Sequence, residues 1–237
     1  MKIEVLVPEL CCLFGDKANT KFLSACIPDA QIIYTSLNDT PAFLNGDIDL
    51  VCLYSMSEQS EERILDRLRK YGDTISSLCK EGNTRFLLTG NAFELFGKYI
   101  EREDGSKVQG LGVFSYYSKR HAPNRFNSLL KAEFNGITLI GYTSRFSQTY
   151  GISEEETFLK VSVGTGSNKE TKNEGIFSGN VIGTYMLGPL LISNPDFALW
   201  FLSFIGADVK ELPFEKDIRK AYDFKLKEFS KPELELE

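Results

Sequence analysis

The sequence predicts an α/β fold: a mostly parallel central sheet covered by helices, with antiparallel strands added in the second half of the chain. Three observations predict it. Short β-branched, apolar runs alternate with helix-periodic segments between Lys2 and Tyr99, the pattern of consecutive βαβ units with right-handed crossovers. The third such run, Asp49-Leu50-Val51-Cys52-Leu53-Tyr54, is nearly all apolar, as expected of a parallel strand covered on both faces. Later in the chain Asn135-Gly136 separates two apolar runs, which is a strong hairpin signal.

In order, Lys2 to Val7 reads as a first strand and Leu13 to Asn19 as a loop, followed by an apolar-periodic helix from Phe22 to Ile27. Gln31 to Tyr34 is the second strand. Ser57 is placed to cap the next helix, whose apolar positions Ile64, Leu65, Leu68, Ile75, Leu78 and Cys79 form one stripe interrupted near Gly72 and stopped by Gly82. Arg85 to Gly97 is the segment around which the rest is organised: a buried strand, a Thr-Gly-Asn-Ala corner, then a helix around Phe93 to Tyr99. A polar turn at Glu101 to Ser106 precedes a strand at Val113 to Ser118, the hairpin strands Leu129 to Phe134 and Ile137 to Tyr142, and a strand at Thr157 to Val163. Gly164 to Asn173 is a loop of turn residues that reads as mobile. Asn180 to Tyr185 is a further strand and Gly188-Pro189 a turn. Asn194-Pro195 caps a helix over Asp196 to Ile205 that ends at Gly206, and a surface helix spans Phe214 to Phe229 before fraying into Glu233 to Glu237.

With 237 residues, 42% of them hydrophobic and 25% charged, the chain suits one soluble domain spanning 1–237. A net charge of −6 argues against a phosphate-backbone binder, so no nucleic acid partner is expected. No signal peptide or membrane span is read, and a cytoplasmic location is expected. The five cysteines, Cys11, Cys12, Cys26, Cys52 and Cys79, lack CxxC spacing and read as buried reduced thiols. With His121 as the only histidine, in the surface loop Lys119-Arg120-His121-Ala122-Pro123, no metal site and no cofactor is expected.

Several segments resemble a known family. Leu13-Phe14-Gly15-Asp16-Lys17-Ala18-Asn19 is similar to an LYGDxGN segment, and Gly164-Thr165-Gly166-Ser167-Asn168 to a GxGNN loop. Glu174-Gly175 followed by Asn180 to Leu191 and Asn194-Pro195 resembles the block EG…NVIGTYLHGPLL and its continuation. These are motifs of the cobyric-acid-synthase-type (CobB/CobQ-like) class I glutamine amidotransferases, and the resemblance is strongest to the subunit type that works with a Mur-ligase-like partner in lipid II amidation. It covers nearly the whole chain and implies a three-layer, flavodoxin-like α/β fold, a bacterial setting in cell-wall or cobyric-acid amidation, and a pocket for glutamine or a related small ligand.

The chemistry of that family needs a thiolate at the strand-to-helix corner and an imidazole to manage its proton. Aligning the family's CGGYQLLG on Gly97 puts the cysteine at Gly90, and GTYLHGP puts the histidine at Leu187. The oxyanion loop GGGxD becomes Tyr54-Ser55-Met56-Ser57-Glu58, and the histidine of GFENHGGxT becomes Arg145. The resemblance therefore implies a degenerate member that lacks glutaminase activity and serves as a binding or structural subunit. An active enzyme would need a replacement nucleophile: Thr89, one residue before the corner position but without a histidine base, or Cys52 or Cys12 at strand ends. As a ligand pocket the expected residues are Tyr54, Ser55, Asn91, Ala92, Glu94, Arg145 and Tyr185, with Glu58 a further charge at a former catalytic loop; the alternative for Glu58, Glu94 and Arg145 is exposed loop charge.

Overall fold

A computed structural model describes residues 1–231, so the expected fraying at Glu233 to Glu237 lies outside the described residues. The first strands are β1 (Lys2–Leu6), β2 (Gln31–Thr35), β3 (Leu50–Leu53) and β4 (Arg85–Thr89), and the C-terminal half adds β13 (Val181–Thr184). They run parallel in the order β2-β1-β3-β4-β13. That is the flavodoxin-like 2-1-3-4-5 order, which opens a crevice outside the carboxyl ends of the strands. The chain steps one way from β1 to β2 and the other way from β3 to β4. Right-handed crossovers therefore put α1 (Lys17–Cys26) on one face and α2 (Glu58–Leu68) with α3 (Gly72–Glu81) on the other.

The sheet continues antiparallel through β12 (Asn173–Ser178), β11 (Thr157–Val163), β8 (Phe126–Phe134) and β9 (Ile137–Arg145), making nine strands among the described residues. Asn135 and Gly136 both take positive φ, 49° and 79°, so the expected hairpin closes through a two-residue turn of the primed kind. It pairs nine residue couples, from Phe134 with Ile137 to Phe126 with Arg145. On the α1 face lie α4 (Leu190–Ser193), α5 (Pro195–Phe204) and α6 (Glu215–Glu228). The apolar side of α5 meets the sheet: Phe134 packs edge-on against Phe177, Phe197 and Trp200, with centroid separations of 5.4, 5.9 and 4.6 Å.

Several elements differ from the sequence reading. A four-stranded sheet, β10 (Ser147–Tyr150), β7 (Tyr117–Arg120), β5 (Tyr99–Glu101) and β6 (Lys107–Gln109), stands beside the large one. The helix expected around Phe93 to Tyr99 is instead a 3₁₀ segment, Gly90–Phe96, and Tyr99 opens β5. It ends at Gly97, whose backbone is extended (φ −74°, ψ −176°) and lies so close to Tyr116 that a Cβ would stand 2.7 Å from its ring. The apolar run Val113 to Ser118 is mostly irregular: Val113 and Tyr116 are buried for packing, with Tyr116 Oη donating to Phe93 O at 2.6 Å, and pairing starts only at Tyr117. Helix α1 begins at Lys17 because Asn19 and Thr20 belong to its buried side, bonding Leu191 N and Tyr54 Oη respectively. Asn194 does not cap α5 with its side chain, which accepts from Ile140 N and donates to Ile140 O and Leu190 O. The loop expected to be mobile is tied in: Asn168 Nδ2 donates to Thr149 O at 2.7 Å and Gly175 N to Ser167 Oγ at 2.9 Å.

Candidate functional site

Strands β4 and β13 are neighbours and end level, with Thr89 opposite Thr184. The segments that follow them, Gly90-Asn91 and Tyr185 to Leu187, therefore emerge side by side at the carboxyl edge of the sheet. A cavity of about 130 Å³ opens there. Leu13 and Phe14, the loop Ser55 to Glu58, Gly90, Asn91 and Glu94, Arg125, residues Thr143 to Ser147, Tyr185 and Leu187 line it.

Gly90 has φ +61°, the left-handed turn that a strand-to-helix corner requires. A Cβ built on it would fall far inside contact distance of Ser55 Cβ, with Ser55 Cα at 3.1 Å. The space that a side chain at 90 would need is thus filled by the side chain of Ser55, from the loop after β3. Ser55 Oγ donates to Asp16 Oδ2 at 2.5 Å and Ser55 N to the same oxygen at 3.3 Å. Thr89 Oγ1 is a third donor to it, at 2.7 Å. Asp16 is fully buried, which raises its pKa against the pull of these three donors, and its Oδ1 has no partner among the described residues.

Around this corner the backbone donors are also engaged. Met56 N, in the loop that matches the family's oxyanion segment, donates to Asn91 Oδ1 at 3.0 Å. Leu187 is 1% exposed and is clamped to β9 by Leu187 N to Tyr142 O at 2.8 Å and Tyr142 N to Leu187 O at 3.2 Å. It presents a hydrocarbon side chain where an imidazole would be needed.

The floor of the cavity is charged. Glu94 is fully buried; Tyr185 Oη donates to its Oε1 at 2.8 Å, while Oε2 has no partner among the described residues. Burial pushes the Glu94 carboxyl up to about 7, against the pull of the Tyr185 hydroxyl and of Arg120. Glu61 on α2 is buried too, with Oε2 2.7 Å from an Arg120 amino group. Burial, and then the nearby Glu94 charge, raise its pKa well above the ordinary range. Arg145 donates to Ser147 O, Thr143 Oγ1 and Gly166 O at 2.9, 2.7 and 2.5 Å and lies 4.1 Å from the Tyr185 ring centre. Charges at 94 and 145 are thus buried, contrary to the exposed-loop alternative: Glu94 sits on the 3₁₀ segment that follows β4, and Arg145 is the last residue of β9.

Of the expected pocket residues, Ser55, Asn91, Glu94, Arg145 and Tyr185 line the cavity, as do Gly90, Leu187 and Glu58. Tyr54 and Ala92 do not. Tyr54 is fully buried with its hydroxyl 2.7 Å from Thr20 Oγ1, and Ala92 turns into the core. Cys52 is fully buried within β3, where burial pushes its thiol up to about 12; neither it nor Cys12 lines the cavity. His121 sits in the loop after β7, edge-on to Phe126, and does not line it either. For Thr89 the sequence offers no histidine base. The structure supplies a carboxylate, Asp16, to a hydroxyl that is itself fully buried and not part of the cavity wall. Asp16, Met56, Arg125 and Ser147 were missed as site residues. All but Arg125 lie inside motifs singled out in the sequence.

Residues 2–195 match the CobB/CobQ-like glutamine amidotransferase domain. The chain belongs to that family. Among curated relatives of this amidotransferase domain is the lipid II isoglutaminyl synthase (glutamine-hydrolyzing) subunit GatD of Staphylococcus aureus (strain N315). It is 25% identical over 186 residues, covering 78% of this chain and 74% of the relative. The GatD subunit of Streptococcus pneumoniae (strain ATCC BAA-255 / R6) is 26% identical over 216 residues, covering 86% and 82%. A crystal structure of a glutamine amidotransferase superposes with a TM-score of 0.59 at 16% identity over 86% of this chain and 99% of its own. Another, from Thermotoga maritima, gives 0.52 at 10% identity over 97% and 92%. At these identities the structures show the shared fold of the glutamine amidotransferases. No helix among the described residues is long and apolar enough to cross a membrane.

Proposed function

We propose that this chain is a glutaminase-inactive glutamine amidotransferase subunit, serving as a binding or structural component beside a Mur-ligase-like protein in lipid II amidation. Lipid II amidation is carried over from the two GatD relatives, and the Mur-ligase-like partner from the family resemblance of the sequence motifs. The loss of chemistry is supported most directly by the corner at Gly90, where the nucleophile's side chain is absent and the room for one is taken by Ser55. Thioester formation needs a nucleophile, a base and an oxyanion donor together. Here they are met by Gly90, Leu187, and a Met56 N–H already bonded to Asn91. Ammonia for the ligase then comes from solution or from another subunit.

One observation favours a second reading, an active enzyme with Thr89 as nucleophile: its hydroxyl lies 2.7 Å from Asp16 Oδ2. Two things weigh against it. That oxygen accepts from two Ser55 donors as well, and Thr89 is sealed from the cavity. Ammonia release from glutamine, measured on the purified chain alone and with its Mur-ligase-like partner, separates the readings. The inactive reading expects no release above background. Release that Thr89→Ala abolishes and Cys52→Ala and Cys12→Ala spare would establish the second.

A further inference from the structure

Helix α6 turns a basic and aromatic face away from the rest of the protein. Its inner side is fixed by Ile218, which is buried, and by Tyr222, whose hydroxyl donates to Thr138 O at 2.9 Å. On the outer side Lys216, Lys220, Phe224, Lys227 and Lys231 recur at spacings of four and three, so they form one stripe along the helix, and all are exposed. A second stripe beside it, Phe214, Asp217, Ala221 and Phe224, shares the Phe224 ring. Phe214 and Phe224, 77% and 65% exposed, are the most exposed large hydrophobic side chains among the described residues. Phe214 stands there at a left-handed φ of 57°, which a bulky residue rarely adopts.

The charge on this face is largely uncompensated. Arg219 is held by Asp196 and Glu215, and Lys231 by Glu228, whereas Lys216, Lys220 and Lys227 form no salt bridge among the described residues. From Phe214 to Lys231 the segment carries six basic and four acidic residues, a net charge of +2 in a chain of −6. Past Phe224 the helix stands over an apolar groove of about 250 Å³, lined by Leu129, Ile140, Tyr142 and Phe229, with Lys225 and Glu228 on its helical side.

We propose that this face of α6 docks on a bilayer surface carrying anionic lipids, with the lysines at the headgroups and Phe214 and Phe224 among the first carbons of the acyl chains. Composition favours lipid over protein as the occupant. The core of a protein interface is depleted in Lys, whereas lysines around exposed aromatic rings are the make-up of helices that lie in the membrane interface. The sign of the charge agrees, because an anionic leaflet attracts each nearby lysine, and the long lysine side chain reaches the headgroups while the neighbouring ring goes deeper. The groove beside Phe224 gives a hydrocarbon chain room to follow the ring. With fourteen residues and its inner side committed to the protein, α6 is suited to lying on a membrane, not to crossing one. For its role the proposal rests on the reading in lipid II amidation: an acceptor attached to a lipid is met by a complex held at the surface that displays it.

Co-sedimentation of the full chain with vesicles of phosphatidylcholine alone, and of phosphatidylcholine and phosphatidylglycerol in equal parts, tests this. At low salt, binding to the mixed vesicles should exceed binding to the neutral ones at least tenfold, and it should fall as salt screens the lysines. Lys216→Gln, Lys220→Gln and Lys227→Gln should each weaken it about fivefold, the share of one lysine near an anionic leaflet, and Phe224→Ser by a similar factor. These side chains are exposed, so the variants keep the fold. Lys80→Gln, on α3 across the sheet, should leave binding unchanged. A chain ending at Lys231 should bind at least as well, because the six residues beyond it carry three glutamates.

Absence of binding to the mixed vesicles, equal binding to both kinds, unchanged binding of a folded Phe224→Ser or Lys220→Gln chain, equal loss in Lys80→Gln, or loss on truncation at Lys231 each overturns the proposal. So does vesicle binding that a Mur-ligase-like partner abolishes, which gives the face to that protein. A dimer in sedimentation equilibrium that Phe224→Ser dissociates gives it to a second copy and overturns the proposal too. The vesicles hold no amidation substrate and the readout involves no ammonia. A chain that binds them and fails in lipid II amidation therefore defeats only the proposed role, and one that serves in amidation without binding them defeats only the membrane face.

Discussion

Replacing Gly90 by cysteine restores the residue type that the family's chemistry requires at the corner, and the structure predicts that it damages the protein instead. A Cβ at 90 overlaps Ser55 Cβ by on the order of 1 Å relative to the ~3.5 Å of ordinary carbon contact. Moving Ser55 aside breaks its short bond to Asp16, a buried carboxyl already missing a partner on its other oxygen. Overpacking of this kind costs about 1–3 kcal/mol, and a non-glycine residue at φ +61° adds about 1–2 kcal/mol. The sum is roughly 2–5 kcal/mol, a fall in Tm of roughly 5–20 °C for a chain of this length. A double-mutant cycle by denaturant unfolding isolates the clash. Ser55→Gly removes the offending Cβ and should recover about 1–3 kcal/mol of the Gly90→Cys cost as a favourable coupling, whereas Ser55→Ala keeps that Cβ and should recover none. No ammonia release is expected from Gly90→Cys, because Leu187 still stands in place of the proton acceptor. A Gly90→Cys protein as stable as the parent, or equal coupling to Ser55→Gly and Ser55→Ala, refutes the idea that Ser55 occupies the nucleophile's room.

Thr89→Val removes one of the three donors on Asp16 Oδ2 at constant shape and should cost about 1.5–3 kcal/mol by urea unfolding, the range for a bond to a charged group. Glu94 has a folded pKa raised to about 7 from 4.5, so the native state binds its proton more tightly and wild-type stability falls as pH rises through the window between those values. Glu94→Gln removes that fall, so the variant should gain on the wild type by roughly 1–3 kcal/mol between pH 4.5 and 7.5, at 1.36 kcal/mol per pKa unit; parallel unfolding curves at the two pH values would contradict it. Phe134→Ala opens a hole among Phe158, Phe177, Phe197 and Trp200 and should cost about 3–5 kcal/mol.

The parallel half of the fold was legible because its signals are local. Alternating strands and helices, a strand apolar on both faces and an Asn-Gly turn each follow from a few consecutive residues, and the structure keeps all three. What stayed hidden depends on partners distant in sequence. Tyr99–Glu101 becomes a strand only because Tyr117–Arg120 and Lys107–Gln109 lie on either side of it. Val113 and Tyr116 imitate a strand because both are apolar and buried, although they fill space beneath a 3₁₀ segment. Asn19 and Thr20 concealed the first turns of α1 because a polar residue satisfied inside the core breaks the apolar stripe that marks a helix.

At the site, the sequence identifies positions but not how they compensate one another. Aligned motifs placed Gly90, Leu187, Arg145 and Ser55 in separate loops, each a departure by itself. In three dimensions two of those departures meet: the side chain missing at 90 and the one present at 55 share a single volume, and each fits because of the other. The same holds for charge. Glu94 stands where the family segment has glutamine, a change of one atom that moves no backbone, yet it sets a second carboxyl in the field of Glu61 and leaves an oxygen with no partner. A site that had merely lost its nucleophile would be expected to accumulate neutral, space-filling residues. This one keeps two buried charges and a cavity beside them, and maintaining that arrangement against the cost of desolvation is easier to understand if a ligand or a partner's side chain completes it.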